Sequence, residues 1–147
     1  MPTALPDDLS EQVSRALRED IGAGDVTAQL IPAAVSARAQ VLCREAAVLC
    51  GSAWFEATFR QLDSSVTVHW HATECARVSG DSVVCELAGP ARAILTGERT
   101  ALNFLQLLSG TATVTARYVQ AVAGTACRIL DTRKTIPGLR SAQTRPT

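Results

Sequence analysis

The sequence predicts an α+β sandwich with a mainly antiparallel sheet, and three observations lead there. Val66, Val68 and Trp70 alternate with Thr67, His69 and His71, the two-residue period of a half-buried strand. Helical periodicity occurs in single segments set between such strands. Turn signals at Gly80-Asp81 and Gly89-Pro90 keep the connections short. Strands interleaved with single helices bury their apolar faces as packed layers around one core.

Taken in order, Leu9, Val13, Leu17 and Ile21 recur at four-residue steps and predict an amphipathic helix over about 8–21. Asp7, Asp8 and Glu11 lie near its start, where the helix dipole favours acids, and Gly22 is placed for a C-cap. Gly22-Ala23-Gly24 follows a helix and lacks a third glycine, so it predicts a helix stop and a turn stabilised by Asp25 rather than a phosphate cradle. Gln40–Cys43 and Ala47–Cys50 read as strands separated by Arg44-Glu45. After Gly51, residues Ala53, Trp54, Phe55, Ala57, Phe59 and Leu62 mark a short helix that packs aromatic bulk on a sheet. The Val66–Trp70 strand comes next, then Val83–Leu87, ended by Gly89-Pro90. The longest helical segment runs from about Ile94 to Leu108, with Ala101, Leu102, Leu105 and Leu108 as its apolar stripe. Arg99, Asn103 and Gln106 align on another face. Gly110 is expected to interrupt this helix, and a second one, with Ala116, Val119 and Val122 on one face, to run to Gly124. Ala126–Leu130 then reads as a short buried strand.

With 47% hydrophobic and 19% charged residues the chain is globular rather than disordered. Its 14 basic and 14 acidic residues balance, so no overall field favours nucleic acid or an anionic membrane. No apolar run is long enough to span a bilayer and the start lacks a leader pattern, so a cytoplasmic protein is expected. The five cysteines are odd in number, lack a CxxC, and predict buried thiols rather than a disulfide framework. His69, His71, Cys75 and Cys85 match no compact zinc spacing, so an edge strand with two exposed histidines is expected and no metal.

The chemistry concentrates where Leu130 gives way to Asp131-Thr132-Arg133-Lys134-Thr135 and then to Ile136-Pro137-Gly138-Leu139-Arg140. Ligands of α/β proteins bind at the carboxyl ends of strands. Arg133, Lys134 and Arg140 suit a ligand with several negative charges, since Arg offers a planar fork to carboxylate or phosphate and Lys a point charge. Charge pattern alone leaves a solvated basic turn as the alternative.

Asp131–Thr135 followed by Pro137–Arg140 resembles the signature of the quinolinate phosphoribosyltransferase family. Leu17–Thr27 resembles its N-terminal block, and Gly97–Leu105 with Leu108–Thr113 a third. The resemblance implies a sandwich domain over residues 1–111 and, over 112–147, the first strand and loop of an incomplete α/β barrel. Barrels of this kind need about 250 residues. The family's glycine-rich segment with its His-Arg pair, its later lysine and its downstream acids have no counterpart here. From Thr144 the letters depart from the family pattern, so a truncated, frame-shifted or shortened sequence is expected.

The implied reaction is transfer of the phosphoribosyl group from phosphoribosyl pyrophosphate to the ring nitrogen of quinolinate. Decarboxylation follows, giving nicotinate mononucleotide, pyrophosphate and carbon dioxide in de novo NAD synthesis, with magnesium as cofactor. By the same resemblance Arg133, supported by Thr132, would grip the ring carboxylates, together with Arg99 lent across a two-fold interface. Lys134, the catalytic candidate, and Arg140 would face phosphate or pyrophosphate. The expected partners are the two substrates and a second copy of the chain. The alternatives are a non-catalytic dimerising fragment and a phosphoribosyltransferase-like protein for a related pyridine acid. A carrier domain is disfavoured, because the Gly80-Asp81 turn has no lysine to bear a prosthetic group.

Overall fold

A computed structural model describes residues 5–144. It begins with α1 (Leu9–Ile21), which Gly22 ends in a left-handed conformation, its N–H donating to the Arg18 carbonyl at 3.1 Å. The single turn α2 (Val26–Gln29) is capped by Asp25, whose carboxylate accepts from the Ala28 N–H. Next come β1 (Ser36–Cys43), β2 (Ala47–Val48), α3 (Ser52–Leu62), β3 (Thr67–Trp70), β4 (Arg77–Val78) and β5 (Ser82–Pro90). The 31-residue α4 (Ala91–Ala121) and the short α5 (Arg140–Gln143) complete the elements.

Both sheets are antiparallel: a three-stranded one in the order β1-β5-β3 and a two-stranded β2-β4 ladder. The register places Glu86 opposite both Gln40 and His69, and a bulge falls between Val41 and Leu42. Ala39, Val41, Val68, Trp70, Cys85 and Leu87 turn inward onto Phe55 and Phe59 of α3 and Ile94, Ala101 and Leu105 of α4. The far side of α3 and α4 presents Trp54, Phe104, Leu108 and Ala112 to Val13 and Leu17 of α1. The layers are therefore sheet, helix pair and helix. Gly97 lets α3 approach α4, because a methyl there would lie 2.8 Å from Leu62 Cδ1 and from Phe59 Cε1.

Polar groups in this core are satisfied. The Trp54 indole N–H donates to Gln12 Oε1 at 2.8 Å, and Gln12 Nε2 donates to Ser141 Oγ and Asp8. Glu74 closes the start of α3, accepting from the Gly51 and Ser52 N–H groups and from Ser52 Oγ. Burial pushes the Glu74 carboxyl up, but those hydrogen bonds outweigh it and hold it below the usual range.

Several expectations are met: the antiparallel sandwich, α1 with its glycine stop, and α3 with its aromatics. Others are corrected. Gly110 does not interrupt α4, which is one continuous helix. A glycine costs a helix only about 1 kcal/mol, and burial of the residues on either side exceeds that. Ala126–Leu130 is not a buried strand; the segment is exposed, carries no ladder, and leaves Leu130 75% accessible. A strand of this kind gains burial from neighbouring strands and covering helices, and among the described residues no strand pairs with it. Ala47–Cys50 is a ladder only at Ala47–Val48, while β4, with two residues, was too short to show a period. Of the five cysteines Cys50 and Cys85 are buried, but Cys75 and Cys127 are exposed. The Thr144 hydroxyl donates to the Arg140 carbonyl; Arg145, Pro146 and Thr147 lie outside the described residues.

Candidate functional site

The cationic segment is a loop ordered by its own short side chains. The Thr132 N–H donates to Asp131 Oδ1 at 2.7 Å, and the Lys134 N–H to Thr132 Oγ1 at 3.0 Å. The Ile136 N–H donates to Gln143 Oε1 of α5, folding the loop back on the helix that Arg140 begins. Ala142 is buried against α1, and Ser141 Oγ donates to Asp8, so α1 anchors the loop's far end. Thr132, Arg133, Lys134 and Arg140 are all exposed, and among the described residues none of the three cations is in an ion pair.

Arg99 stands elsewhere in the chain. It projects from α4 beside a cleft of about 470 Å³ between α1, α4 and Pro137–Leu139, shared with Arg15, Asp20, Asn103 and Phe104. Its Nη1 lies 3.3 Å from Asp20 Oδ1, with the arginine side chain 75% and the aspartate 19% accessible. The buried Thr100 donates to the other Asp20 oxygen. Asp25 lies close by, held below the usual carboxylate range by the Ala28 N–H and the Thr96 hydroxyl, with the Arg99 charge adding to the effect. Thr132 lines a different cleft, of about 490 Å³, with Cys50, Thr115, Ile129 and Leu130. A single chain thus brings Arg99 and the 137–139 turn together, but not Arg99 and Arg133 or Lys134. The exposed cations on the two surfaces can each take an anion, Arg99 with one nitrogen already engaged by Asp20; one chain does not converge them on one ligand.

The edge strand β3 carries His69 outward and His71 follows just past its end, their rings 5.1 Å apart, with His71 Nε2 3.7 Å from Glu86. Cys85 points to the opposite face, fully buried, its thiol pushed up to about 12 by burial and by Glu56. Those histidines and that thiol cannot share an ion. Among the described residues no group of three His, Cys, Asp or Glu side chains is placed to hold a metal.

Residues 25–109 match the family model for the quinolinate phosphoribosyl transferase N-terminal domain. The chain belongs to that family. Residues 111–146 match the model for its C-terminal domain. A probable carboxylating nicotinate-nucleotide pyrophosphorylase of Bacillus subtilis is 38% identical over 132 residues, covering 90% of this chain and 46% of the relative. The Synechocystis counterpart is 42% identical over 124 residues, covering 84% and 42%. The fold superposes on the nicotinate-nucleotide pyrophosphorylase of Francisella tularensis with a TM-score of 0.90 and 42% identity, over 95% of this chain and 50% of that one. The chain therefore spans about half the length of the relatives it matches.

Sequence reasoning found Arg99 but missed Asp20 and Thr100 as its neighbours. One signal was there: Asp20 is the penultimate residue of α1, where the negative end of the helix dipole disfavours an acid. An acid kept at such a place calls for a donor from another element.

Proposed function

We propose that this chain supplies the quinolinate-gripping half of a site that transfers a phosphoribosyl group to quinolinate and releases carbon dioxide and pyrophosphate. One observation carries the reading: in a member of this family, Arg133 and Lys134 stand exposed and without an acid partner among the described residues. Two ring carboxylates need a bidentate host, which Arg133 supplies with Thr132 beside it. Arg99, on a separate cleft in its own chain, serves the site of a second copy, so the active form is a homodimer. Lys134 and Arg140 face phosphate, and Lys134 stabilises the departing pyrophosphate as the ribosyl centre becomes oxocarbenium-like. The ring nitrogen is the nucleophile, so no side chain has to act as general base.

In this reading residues 1–111 form the sandwich domain and 112–147 begin the barrel, with α4 running through the boundary. Among the described residues no group of three His, Cys, Asp or Glu side chains is placed to hold the magnesium that the family implies. The cytoplasm is the proposed compartment, in keeping with five cysteines outside any disulfide; among the described residues no helix is long and apolar enough to cross a membrane. The exposed Ile129 and Leu130 favour a second reading, a dimerising fragment without activity.

Titration calorimetry of the 147-residue chain with quinolinate should show no binding tighter than millimolar, because the chain spans about half of its relatives' length and the family's later basic residues have no counterpart in it. In the longest natural polypeptide carrying this sequence, Lys134→Ala should lower kcat by about a hundredfold or more. Unchanged turnover would remove Lys134 from the site; absence of turnover in the unmodified protein would favour the fragment.

A further inference from the structure

We infer that Asp20 is a positioning residue for Arg99, fixing the direction in which that guanidinium meets its ligand; this rests on the role given to Arg99 above. Asp20 divides its two oxygens between neighbours on α4: Oδ1 lies 3.3 Å from Arg99 Nη1, and Oδ2 accepts from Thr100 Oγ1 at 3.2 Å. Thr100 is 3% exposed, so the hydroxyl that orients the carboxylate is itself locked in the core. The carboxylate plane is set from below, and the guanidinium from the carboxylate.

Stability does not account for the arrangement. An ion pair with so exposed an arginine contributes little to folding, and the acid sits at the end of α1 where the dipole opposes it. What the pair does accomplish is restraint. A free arginine samples many rotamers and must be ordered when a ligand arrives. Here one nitrogen is engaged while the side chain stays 75% accessible, which leaves most of its five N–H donors for a carboxylate in the cleft that Asn103 also lines. Asp25, whose oxygens hold the Ala28 N–H and the Thr96 hydroxyl, makes no ion pair with Arg99 among the described residues. Glu19 lines the same cleft but makes no ion pair with Arg99 among the described residues.

The test uses steady-state kinetics on the longest natural polypeptide carrying this sequence, with Asp20→Ala, Asp20→Asn, Arg99→Ala and the Asp20→Ala/Arg99→Ala double variant. Thermal midpoints are followed alongside. Asp20→Ala should raise the quinolinate KM about tenfold, the loss expected when an arginine must be ordered by the ligand itself, and leave the phosphoribosyl pyrophosphate KM and kcat unchanged. Asp20→Asn, which keeps the shape and one acceptor, should fall between Asp20→Ala and the unmodified protein, and it carries the test if Asp20→Ala does not fold. In the Arg99→Ala background Asp20→Ala should add nothing. An undiminished Asp20 effect in that background, or an unchanged quinolinate KM, overturns the inference while leaving Arg99 its role. Normal kinetics for Arg99→Ala overturn that role and the inference with it.

Discussion

Val83–Leu87 and Ala126–Leu130 are both short apolar runs with a cysteine inside, yet the first is the centre of the fold and the second lies open to solvent. The first belongs to β5, which has β1 on one side and β3 on the other, so its backbone groups are paired and Val84, Cys85 and Leu87 are buried. The second has neither neighbour, and the same kinds of side chain are exposed. A residue's hydrophobicity sets what it could contribute; the strands and helices beside it set whether it does. The contrast extends to chemistry: β5 and its neighbours hold the shape, while Arg133 and Lys134 follow the open run.

Substitutions can break that contrast, and the largest effect belongs to Trp54, fully buried and hydrogen-bonded to Gln12. Trp54→Ala should cost about 3–5 kcal/mol in urea denaturation, from the cavity and the orphaned amide together. Two glycines of α4 come next, with opposite signs. Gly97→Ala should destabilise by about 1–3 kcal/mol, since its methyl meets Phe59 and Leu62 at 2.8 Å. Gly110→Ala meets nothing within 4 Å and should stabilise by about 1 kcal/mol, visible as a higher denaturation midpoint.

Glu74 gives the third comparison, a pH dependence of the sandwich. Its folded pKa lies below the ordinary value, so its contribution is present above the unfolded pKa of about 4.3 and is lost as pH falls through the folded one. Glu74→Gln should flatten the acid limb of the stability profile measured from pH 6 to pH 2, roughly where carboxylates titrate. The smallest effect is expected at the loop: Arg133→Ala and Lys134→Ala should each change stability by less than about 0.5 kcal/mol, because both side chains are exposed. A larger loss would mean that the loop supports the core.

Much of this was legible in the letters because period and burial coincide wherever elements have partners. Val13 and Leu17 of α1, Phe55 and Phe59 of α3, and Val68 and Trp70 of β3 all turn to the side their spacing predicts. Gly110 misled because local propensity is weaker than the packing of Leu108 and Ala112 on either side of it. The Ala126–Leu130 strand misled because a run of letters does not say whether a neighbouring strand is present. Of the candidate site, the cations and Arg99 were visible as charge in a motif. The Asp20–Thr100 support was not, because it joins residues 80 positions apart through one hydrogen bond.

The irregularity between Val41 and Leu42 matters for how this molecule behaves in a crowded solution. At eight residues β1 is an outer strand, open on one side to any chain that could template on it. The extra residue is Val84 of β5, since Val41 faces Cys85 and Leu42 faces Val83, and the added twist it imposes on the pair turns β1 away from a straight rail that an incoming copy could extend. The opposite border is only four residues long and carries the His69 imidazole, with His71 just past its end, which leaves the sheet resistant to polymerising from either rim.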